Sequence, residues 1–416
     1  MKKFVKPSKI NGSVKAPPSK SMMQRALAAG LLAEGTSIIR NPSFCNDALA
    51  AMKVVEGLGA SVNYTEKEVV IDGGFNPFAG ELNCGESGLA IRMFTSIAAL
   101  HDSPITLTGA GSLANRPMDM IGESLRNLGV EFNSTEGCVP ITVRGPLKGG
   151  QASVDGSTSS QFLTGLLMAL PVLKEKSELH VDDLKSRPYI DLTLQVLKDF
   201  GVNIQHTQYA TFFINGGQHY QPCTFTVEGD WSGAAFMLVA GAIGGKVEVT
   251  SLNPYSRQAD RAIIEALEKA GAIVSFGENS VSVAKDKLRP FEFDATECPD
   301  LFPPLVALAS HCEGISFIKG IGRLIHKESN RAEVLKQEFS KLGATIELAG
   351  GSMVIRGGGL KGGNIHSHND HRIAMAGAVA ACAAKEPIHI EAFEAVKKSY
   401  PEFADDFVSL GGCACE

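Results

Sequence analysis

The sequence contains no run of about 18 consecutive apolar residues, the shortest stretch that crosses a membrane as a helix. Its nine cysteines are scattered without a Cys-X-X-Cys pair, which argues against a zinc ribbon or a disulfide framework. Acidic residues outnumber basic ones by 45 to 39, and this balance argues against a general nucleic-acid-binding surface. Met1–Val14 has basic side chains but no apolar segment typical of a secretory signal. We therefore expect a cytoplasmic protein with reduced thiols, whose partners are small molecules rather than nucleic acid or a membrane.

The chain has 416 residues, of which 44% are hydrophobic and 20% charged. This composition is typical of a soluble globular protein, and the length predicts two domains rather than one core. Six apolar stretches, each opened by small polar residues, predict buried helices whose N-termini are capped by side chains. The free N–H groups and dipoles of such helix starts favour anions. The six stretches are Pro17–Gly35, Cys84–Leu100, Gly156–Leu170, Gly229–Gly244, Cys298–His311 and Ser367–Ala384.

A second pattern divides the chain into six similar units. An amphipathic segment ends at a glycine and continues into strand-like residues at positions 59, 129, 201, 271 and 343, with a sixth glycine at 411. A repeat of about 70 residues is too long for a solenoid turn, so two domains of three units each are expected. The glycines fit helix C-caps, where a positive φ is common. Met1–Val14 reads as a strand that pairs with the last unit, and the chain returns to that domain near residues 227–229.

In the first half of the chain, basic and hydroxyl side chains collect at the helix starts. Lys20, Ser21 and Arg25 offer a point charge, a hydroxyl and a guanidinium to a phosphate or carboxylate. Four consecutive hydroxyl residues, Ser157–Ser160, precede Gln161 and exceed what an N-cap requires. We interpret both segments as anion-binding helix starts, although each could be a solvated or capped helix end.

Further polar residues follow in the same half. Gly88 permits a close approach to the backbone, and Arg92 is costly inside an apolar helix unless it is paired. Arg116 and Ser186 open the next amphipathic segments. These positions add candidate ligands for an anion.

The second half carries acids and bases at comparable positions. Asp300 is either an N-cap or a general base, and His326–Arg331 is either a surface run of ion pairs or part of a site. Asn369–Arg372 brings a histidine and an arginine into a small-residue helix, which is expensive without a partner. Lys398 completes the set, whereas Asp230–Ser232 is interpreted as a structural cap.

These motifs together resemble the 5-enolpyruvylshikimate-3-phosphate synthase family of enolpyruvyl transferases. The resemblance rests on PSKS with Arg25, GESGLAIR, SSQFLTGLLMALP, SRPYIDLTL, NDHRIAMA and KSYPEF, and it runs in order from about residue 9 to residue 408. It implies a two-domain α/β (α+β) fold of inside-out, barrel-like form, with six βαβαββ repeats and domain closure on ligand. The implied domains are residues 15–228, and residues 1–14 plus 229–416.

The resemblance also implies a reaction and a set of roles. The family transfers the enolpyruvyl group of phosphoenolpyruvate to the 5-hydroxyl of shikimate 3-phosphate in the shikimate pathway, with neither metal nor organic cofactor, and we expect a monomer. Asp300 resembles the base at the hydroxyl, Glu328 and Lys20 match positions for proton transfer, and His371 is expected beside the phosphate. The implied contacts to shikimate 3-phosphate are Ser21, Arg25, Ser159, Ser160, Gln161, Ser186 and Lys327. The implied contacts to phosphoenolpyruvate are Lys20, Gly88, Arg116, Gln161, Arg331, Arg372 and Lys398.

Two other functions fit these residues less well. The sister enolpyruvyl transferase acting on UDP-N-acetylglucosamine has Lys-Asn where this chain has Lys20 and Ser21, and it has a reactive Cys that Gly109–Asn115 lacks. A non-catalytic anion-binding repeat protein would not need Asp300 and His371 together with the lysine and glutamate named above. Departures from the usual pattern are Glu86 and Leu89 for Asn and Thr, Asn330 for Asp, and Arg323 where some members have Asn.

Overall fold

A computed structural model describes residues 1–415. The strands are β1 (Lys2–Lys6), β2 (Ile10–Lys15), β3 (Gly35–Arg40), β4 (Ser61–Tyr64), β5 (Glu68–Gly73), β6 (Glu81–Asn83), β7 (Ile105–Thr108), β8 (Glu131–Thr135), β9 (Cys138–Arg144), β10 (Gln151–Asp155), β11 (Ser177–Asp182), β12 (Gln205–Thr207), β13 (Thr211–Ile214), β14 (Thr224–Thr226), β15 (Gly245–Thr250), β16 (Ile273–Phe276), β17 (Ser280–Ala284), β18 (Glu292–Asp294), β19 (Ile315–Lys319), β20 (Thr345–Ala349), β21 (Ser352–Arg356), β22 (Gly363–His366), β23 (Ile388–Glu391) and β24 (Cys413–Cys415). The α-helices are α1 (Lys20–Leu32), α2 (Asn46–Gly57), α3 (Gly88–Ala98), α4 (Gly122–Asn127), α5 (Gln161–Ala169), α6 (Arg187–Asp199), α7 (Trp231–Gly244), α8 (Ile263–Lys269), α9 (Phe302–His311), α10 (Arg331–Lys341), α11 (His371–Ala381) and α12 (Phe403–Ser409).

The chain forms two compact units. The inserted unit is Pro18–Val227, and the flanking unit is Met1–Pro17 together with the chain from Glu228 onward. The first boundary lies three residues beyond the expected residue 14, because Ala16 N–H donates to Thr250 O (2.9 Å) and Pro17 O accepts from Asp230 N–H (2.7 Å). These bonds keep the end of the first strand region within the flanking unit.

Six βαβαββ repeats, three in each unit, account for the four-stranded sheets of residues 1–415. In each repeat the first and second strands are parallel, and in four of the repeats a buried helix joins them directly, as α5 joins β10 to β11. The fourth strand pairs antiparallel with both the second and the third, giving the spatial order first, second, fourth, third, and in five of the repeats the third and fourth strands form a hairpin. A parallel pair requires such a crossover, whereas an antiparallel pair needs only a turn. The predicted α/β repeat fold is confirmed.

The N-terminal segment serves two repeats rather than one. β1 is the closing strand of the last repeat, where it pairs with β23 and β24, while β2 opens the fourth repeat beside β15. Likewise β14 opens the first repeat, because it pairs with β3. The prediction of a single strand over Met1–Val14 was therefore wrong, whereas its predicted pairing with the last unit is confirmed for β1. Pro7 separates the two strands, and proline cannot donate to a ladder.

The buried helices lie at the centre of each unit, and the sheets surround them. In the inserted unit α1 and α5 both contact α3, and in the flanking unit α7, α9 and α11 contact one another. All residues of α3 and α11 are buried, as the apolar patterns predicted. The six repeat glycines end the amphipathic helices with φ between 81° and 115°, which confirms the predicted C-caps. Within residues 1–415 every helix falls short of the length and apolar character that a membrane crossing requires.

Candidate active site

The start of α1 places Lys20 in an ion pair. Ser19 caps the helix by accepting from Met22 N–H, and Lys20 Nζ lies 2.9 Å from Asp47 Oδ2. Asp47, on α2, is 4% exposed, and its Oδ1 is buried without a hydrogen bond to any residue of the described range 1–415. The sequence did not identify Asp47, because an Asn-Asp pair at a helix start looks like a cap. The contact fixes the position of the Lys20 ammonium group.

Arg25 is buried one turn further along α1. Its guanidinium donates to Ser21 O (2.8 Å), Thr193 Oγ1 (2.8 Å), Thr164 Oγ1 (3.4 Å) and Tyr189 O (3.3 Å). Burial lowers the pKa of Arg25 to about 10, against a smaller opposing effect of Tyr189. Because Thr164 lies on α5 and Thr193 on α6, this one cation fixes two further helices relative to α1.

The start of α3 lies against the guanidinium of Arg116. A Cβ added at Gly88 would lie 2.3 Å from Arg116 Nη1, so only glycine allows this approach. Arg116 follows the 3₁₀ turn Gly111–Asn115. Glu86 Oε2 accepts from both the N–H and the hydroxyl of Ser112 at 3.3 Å. Glu86, which stands where the family usually has Asn, therefore stabilises the 3₁₀ turn that precedes Arg116.

The hydroxyl-rich start of α5 connects to α3 through Arg92. Arg92 Nη1 donates to Gln161 Oε1 (2.8 Å), and Nη2 donates to Pro117 O (3.3 Å). Ser159 Oγ accepts from Gln161 N–H at 3.2 Å, whereas the side chain of Ser160 makes no capping bond. The pairing explains how a cation is tolerated inside an apolar helix.

Ser186 precedes α6 in the left-handed region, with φ 57° and ψ 43°. This conformation is uncommon for a residue other than glycine, asparagine or aspartate, and it carries strain. The side chain is buried. The backbone thus holds Ser186 in a fixed orientation at the N-terminus of α6.

In the flanking unit, Asp300 is the shared partner of three cations. Its Oδ1 lies 3.1 Å from Lys327 Nζ and 2.9 Å from Arg331 Nη1, and its Oδ2 lies 3.2 Å from Arg372 Nη2. Burial raises the pKa of Asp300, but the three cations act against it and hold it well below its usual range. The carboxyl group is therefore ionised and able to accept a proton. Because both oxygens receive cations, the interpretation of Asp300 as an N-cap was wrong.

Arg331 is fully buried among carboxylates. Its Nε and Nη2 donate to the two oxygens of Asp370 at 2.9 and 3.2 Å, and Nη2 also donates to Glu328 Oε2 at 2.6 Å. Burial lowers the pKa of Arg331, but these carboxylates more than offset that effect, so it stays charged. The alternative interpretation of His326–Arg331 as a surface ion-pair run was therefore wrong for Arg331, although His326 and Asn330 are exposed.

The start of α11 completes this cluster. Asp370 caps the helix by accepting from Arg372 N–H (3.0 Å), and Ser329 Oγ donates to Asp370 at 3.1 Å. His371 is fully buried, with Nδ1 3.9 Å from Asp370 Oδ1. Lys398 is 6% exposed and ends a 3₁₀ turn that packs against α11. Asp370, which the sequence analysis named only as part of the Asn369–Arg372 motif, is the bidentate partner of Arg331.

The predicted role of Asp230 as a helix cap is confirmed. Its side chain accepts from Ser232 N–H at 2.9 Å at the start of α7.

Burial lowers the pKa of Lys327, and the attraction of Asp300 partly offsets this effect. The structure thus groups the predicted residues within each unit. Lys20, Ser21, Arg25, Gly88, Arg116, Ser159, Ser160, Gln161 and Ser186 lie in the inserted unit, and Asp300, Lys327, Glu328, Arg331, His371, Arg372 and Lys398 lie in the flanking unit.

The buried helices of these repeats begin at cationic and hydroxyl side chains. This arrangement is that of an α/β protein that binds small anionic molecules. The model of the EPSP synthase family (3-phosphoshikimate 1-carboxyvinyltransferase) matches residues 4–407. The chain therefore belongs to the EPSP synthase family.

Individual relatives agree with this assignment over the whole length. A 3-phosphoshikimate 1-carboxyvinyltransferase of Clostridium perfringens is 40% identical over 420 residues, covering 99% of each chain. Its counterpart from Aeropyrum pernix is 40% identical over 408 residues, covering 98% of this chain and 95% of the relative. Among solved structures, EPSP synthase from Acinetobacter baumannii has a TM-score of 0.84 at 25% identity, with 100% of both chains covered. The enolpyruvyl transferase NikO from Streptomyces tendae has a TM-score of 0.79 at 16% identity, covering 100% of this chain and 98% of NikO, and shows the shared fold alone.

Proposed function

We infer that this chain transfers the enolpyruvyl group of phosphoenolpyruvate to the 5-hydroxyl of shikimate 3-phosphate and releases phosphate, as an enzyme of the shikimate pathway. Family membership over residues 4–407 supports this function. The observation that carries it in the structure is Asp300, an ionised carboxylate beside three cations. A base must be ionised to accept a hydroxyl proton, and the same cations can attract an anionic co-substrate.

The inserted unit supplies groups for shikimate 3-phosphate. Ser21, Ser159, Ser160, Gln161 and Ser186 offer hydroxyl and amide donors at helix starts, where phosphate and ring hydroxyls can be bound. Arg25 adds a positive charge, but its protein contacts also give it the role of fixing α5 and α6. We assign Lys327 of the flanking unit to the same substrate.

Phosphoenolpyruvate carries a phosphate and a carboxylate, for which planar guanidinium groups are suited. We assign this substrate to a set of cations and two backbone or amide positions: Lys20, Arg116, Arg331, Arg372 and Lys398, with Gly88 and Gln161. His371 is assigned to a position beside the phosphate.

The reaction is an addition followed by an elimination. Asp300 accepts the proton of the 5-hydroxyl as its oxygen bonds to C2 of phosphoenolpyruvate, and an acid protonates the methylene carbon. The resulting tetrahedral intermediate then returns a proton from its methyl group to the conjugate base of that acid and expels phosphate, which forms the C=C bond of the enol ether product. Lys20 and Glu328 are the two candidates for the acid. Lys20 contacts Asp47 and Glu328 contacts Arg331, so each has a defined position.

Phosphate release with each substrate omitted in turn tests the function. Release should require both phosphoenolpyruvate and shikimate 3-phosphate, and chelators should not affect it. Release with UDP-N-acetylglucosamine, but not with shikimate 3-phosphate, would assign the chain to the sister reaction instead. We also propose a cytoplasmic monomer without nucleic-acid or membrane partners, and sedimentation with and without the substrates tests its oligomeric state.

A further inference from the structure

Asp260 is a buried carboxyl group that the proposed reaction does not use. It lies in the 3₁₀ turn Ala259–Ala262 and is 1% exposed. Ser232 Oγ donates to its Oδ2, whereas its Oδ1 is buried without a hydrogen bond among the described residues. A buried carboxylate oxygen without a donor is costly, so this environment favours the neutral acid.

The start of α7 brings Asp260 close to the cluster around Asp300. α7 contacts the turn that carries Asp260, the 3₁₀ turn Pro299–Leu301 that carries Asp300, and α11, which carries Arg372. The pKa of Asp260 is raised to about 7, by burial first and then by the charge of Asp300, while Arg372 and Ser232 act in the opposite direction.

Other titratable groups near Asp260 are Asp230 and Cys298, and the neighbouring Arg261 donates its Nε–H to Pro254 O. Asp230, which caps α7, also raises its pKa. The thiol of Cys298 has a pKa raised by burial and then by Asp260 itself, so it stays neutral. Arg372 is a cation whose charge acts on Asp260, and the same Arg372 contacts Asp300.

We propose that Asp260 is a positioning residue that controls the charge available at Arg372: neutral, it leaves Arg372 to an anionic substrate, and ionised, it weakens that binding. The proposal rests on the proposed function. The carboxylates of this cluster, Asp300, Glu328 and Asp370, form ion pairs with its cations, which are Lys327, Arg331 and Arg372. An ionised Asp260 adds a fourth carboxylate, which attracts Arg372 and repels phosphoenolpyruvate.

Linkage fixes the sign of the effect. An anion beside Arg372 disfavours the ionised form of Asp260, so it raises the pKa of Asp260. By reciprocity, ionisation of Asp260 weakens binding of that anion by the same factor. Binding of phosphoenolpyruvate should therefore be tight below the pKa of Asp260 and weaker above it.

The test is the KM for phosphoenolpyruvate, at saturating shikimate 3-phosphate, from about pH 6.5 to about pH 8.5. For the unaltered protein we expect KM to rise roughly tenfold, the factor that accompanies one pKa unit of coupling. Asp260→Asn should abolish this rise, because the amide is neutral at every pH and its oxygen can still accept from Ser232. Asp286→Asn, an exposed change in the same unit, is the matched control and should keep the rise.

A second variant covers the case in which Asp260→Asn does not fold. Ser232→Ala removes the hydroxyl that stabilises the ionised form, so the rise in KM should move to higher pH. Equal KM profiles for Asp260→Asn and the unaltered protein, or an unshifted profile for Ser232→Ala, would overturn the role of Asp260. An unaltered protein that releases no phosphate with both substrates would instead overturn the proposed function.

Discussion

Replacement of Asp300 by asparagine removes the one negative charge that Lys327, Arg331 and Arg372 share. The amide has the same shape, so it can keep one acceptor oxygen towards these cations. Its NH₂ group, however, then faces a cation in place of the second oxygen. The change is therefore small in volume and large in charge.

The structure gives the expected magnitudes. A positioned general base contributes about 10²–10⁴ to turnover, so phosphate release should fall by that factor. Hydrogen bonds to charged groups contribute about 1.5–3 kcal/mol each, but Arg331 keeps Asp370 and Glu328, and Asp300 is partly open to solvent. We expect a loss of about 1–3 kcal/mol in unfolding free energy. Because the pKa of Asp300 is lowered in the folded state, this stability is present above the ordinary carboxyl pKa and is lost as pH falls.

The assay measures phosphate release, binding of shikimate 3-phosphate by calorimetry and urea unfolding on one preparation. Binding should weaken by no more than about tenfold, since one charge-assisted hydrogen bond is lost. Asp294→Asn, which removes an exposed ion pair with Lys319 in the same unit, controls for the substitution itself and should stay active. If Asp300→Asn keeps more than about a tenth of the activity, the role of Asp300 as base is refuted.

Two further substitutions test the buried contacts. Arg331→Met should lower the unfolding free energy by about 3–5 kcal/mol in urea titrations, because it leaves the fully buried Asp370 without its bidentate partner; a loss below about 1 kcal/mol would contradict this. Gly88→Ala should raise the KM for phosphoenolpyruvate at least about tenfold with unchanged stability, because the added methyl group displaces Arg116; an unchanged KM would show that this guanidinium does not hold the substrate.

Features set by short segments could be predicted from the sequence. The repeat glycines and the side-chain caps at Ser19, Ser87 and Asp230 depend on a few neighbouring residues and are confirmed. The side-chain caps predicted for α5 and α9 were wrong, because neither helix has a capping bond from its N-cap side chain. The repeat could be counted for the same reason, because each unit carries its own helix signals.

Contacts between distant segments could not be predicted from local patterns. Lys20 meets Asp47 across 27 positions and Arg331 meets Asp370 across 39, and only the packing of helices brings these pairs together. The burial of Arg331 likewise depends on α11, so the last residue of a run that looked solvated is fully buried in the flanking unit. The division of Met1–Val14 between two repeats depends on strands near both ends of the chain.

The most direct test of the enolpyruvyl transfer is ³¹P NMR of one reaction mixture containing the protein, phosphoenolpyruvate and shikimate 3-phosphate. The account predicts equal losses of both substrate signals, with inorganic phosphate and one new phosphomonoester appearing in the same amount. With either substrate omitted, the spectrum should stay unchanged. Phosphate without a new phosphomonoester, or no change with both substrates present, would contradict transfer to the 5-hydroxyl.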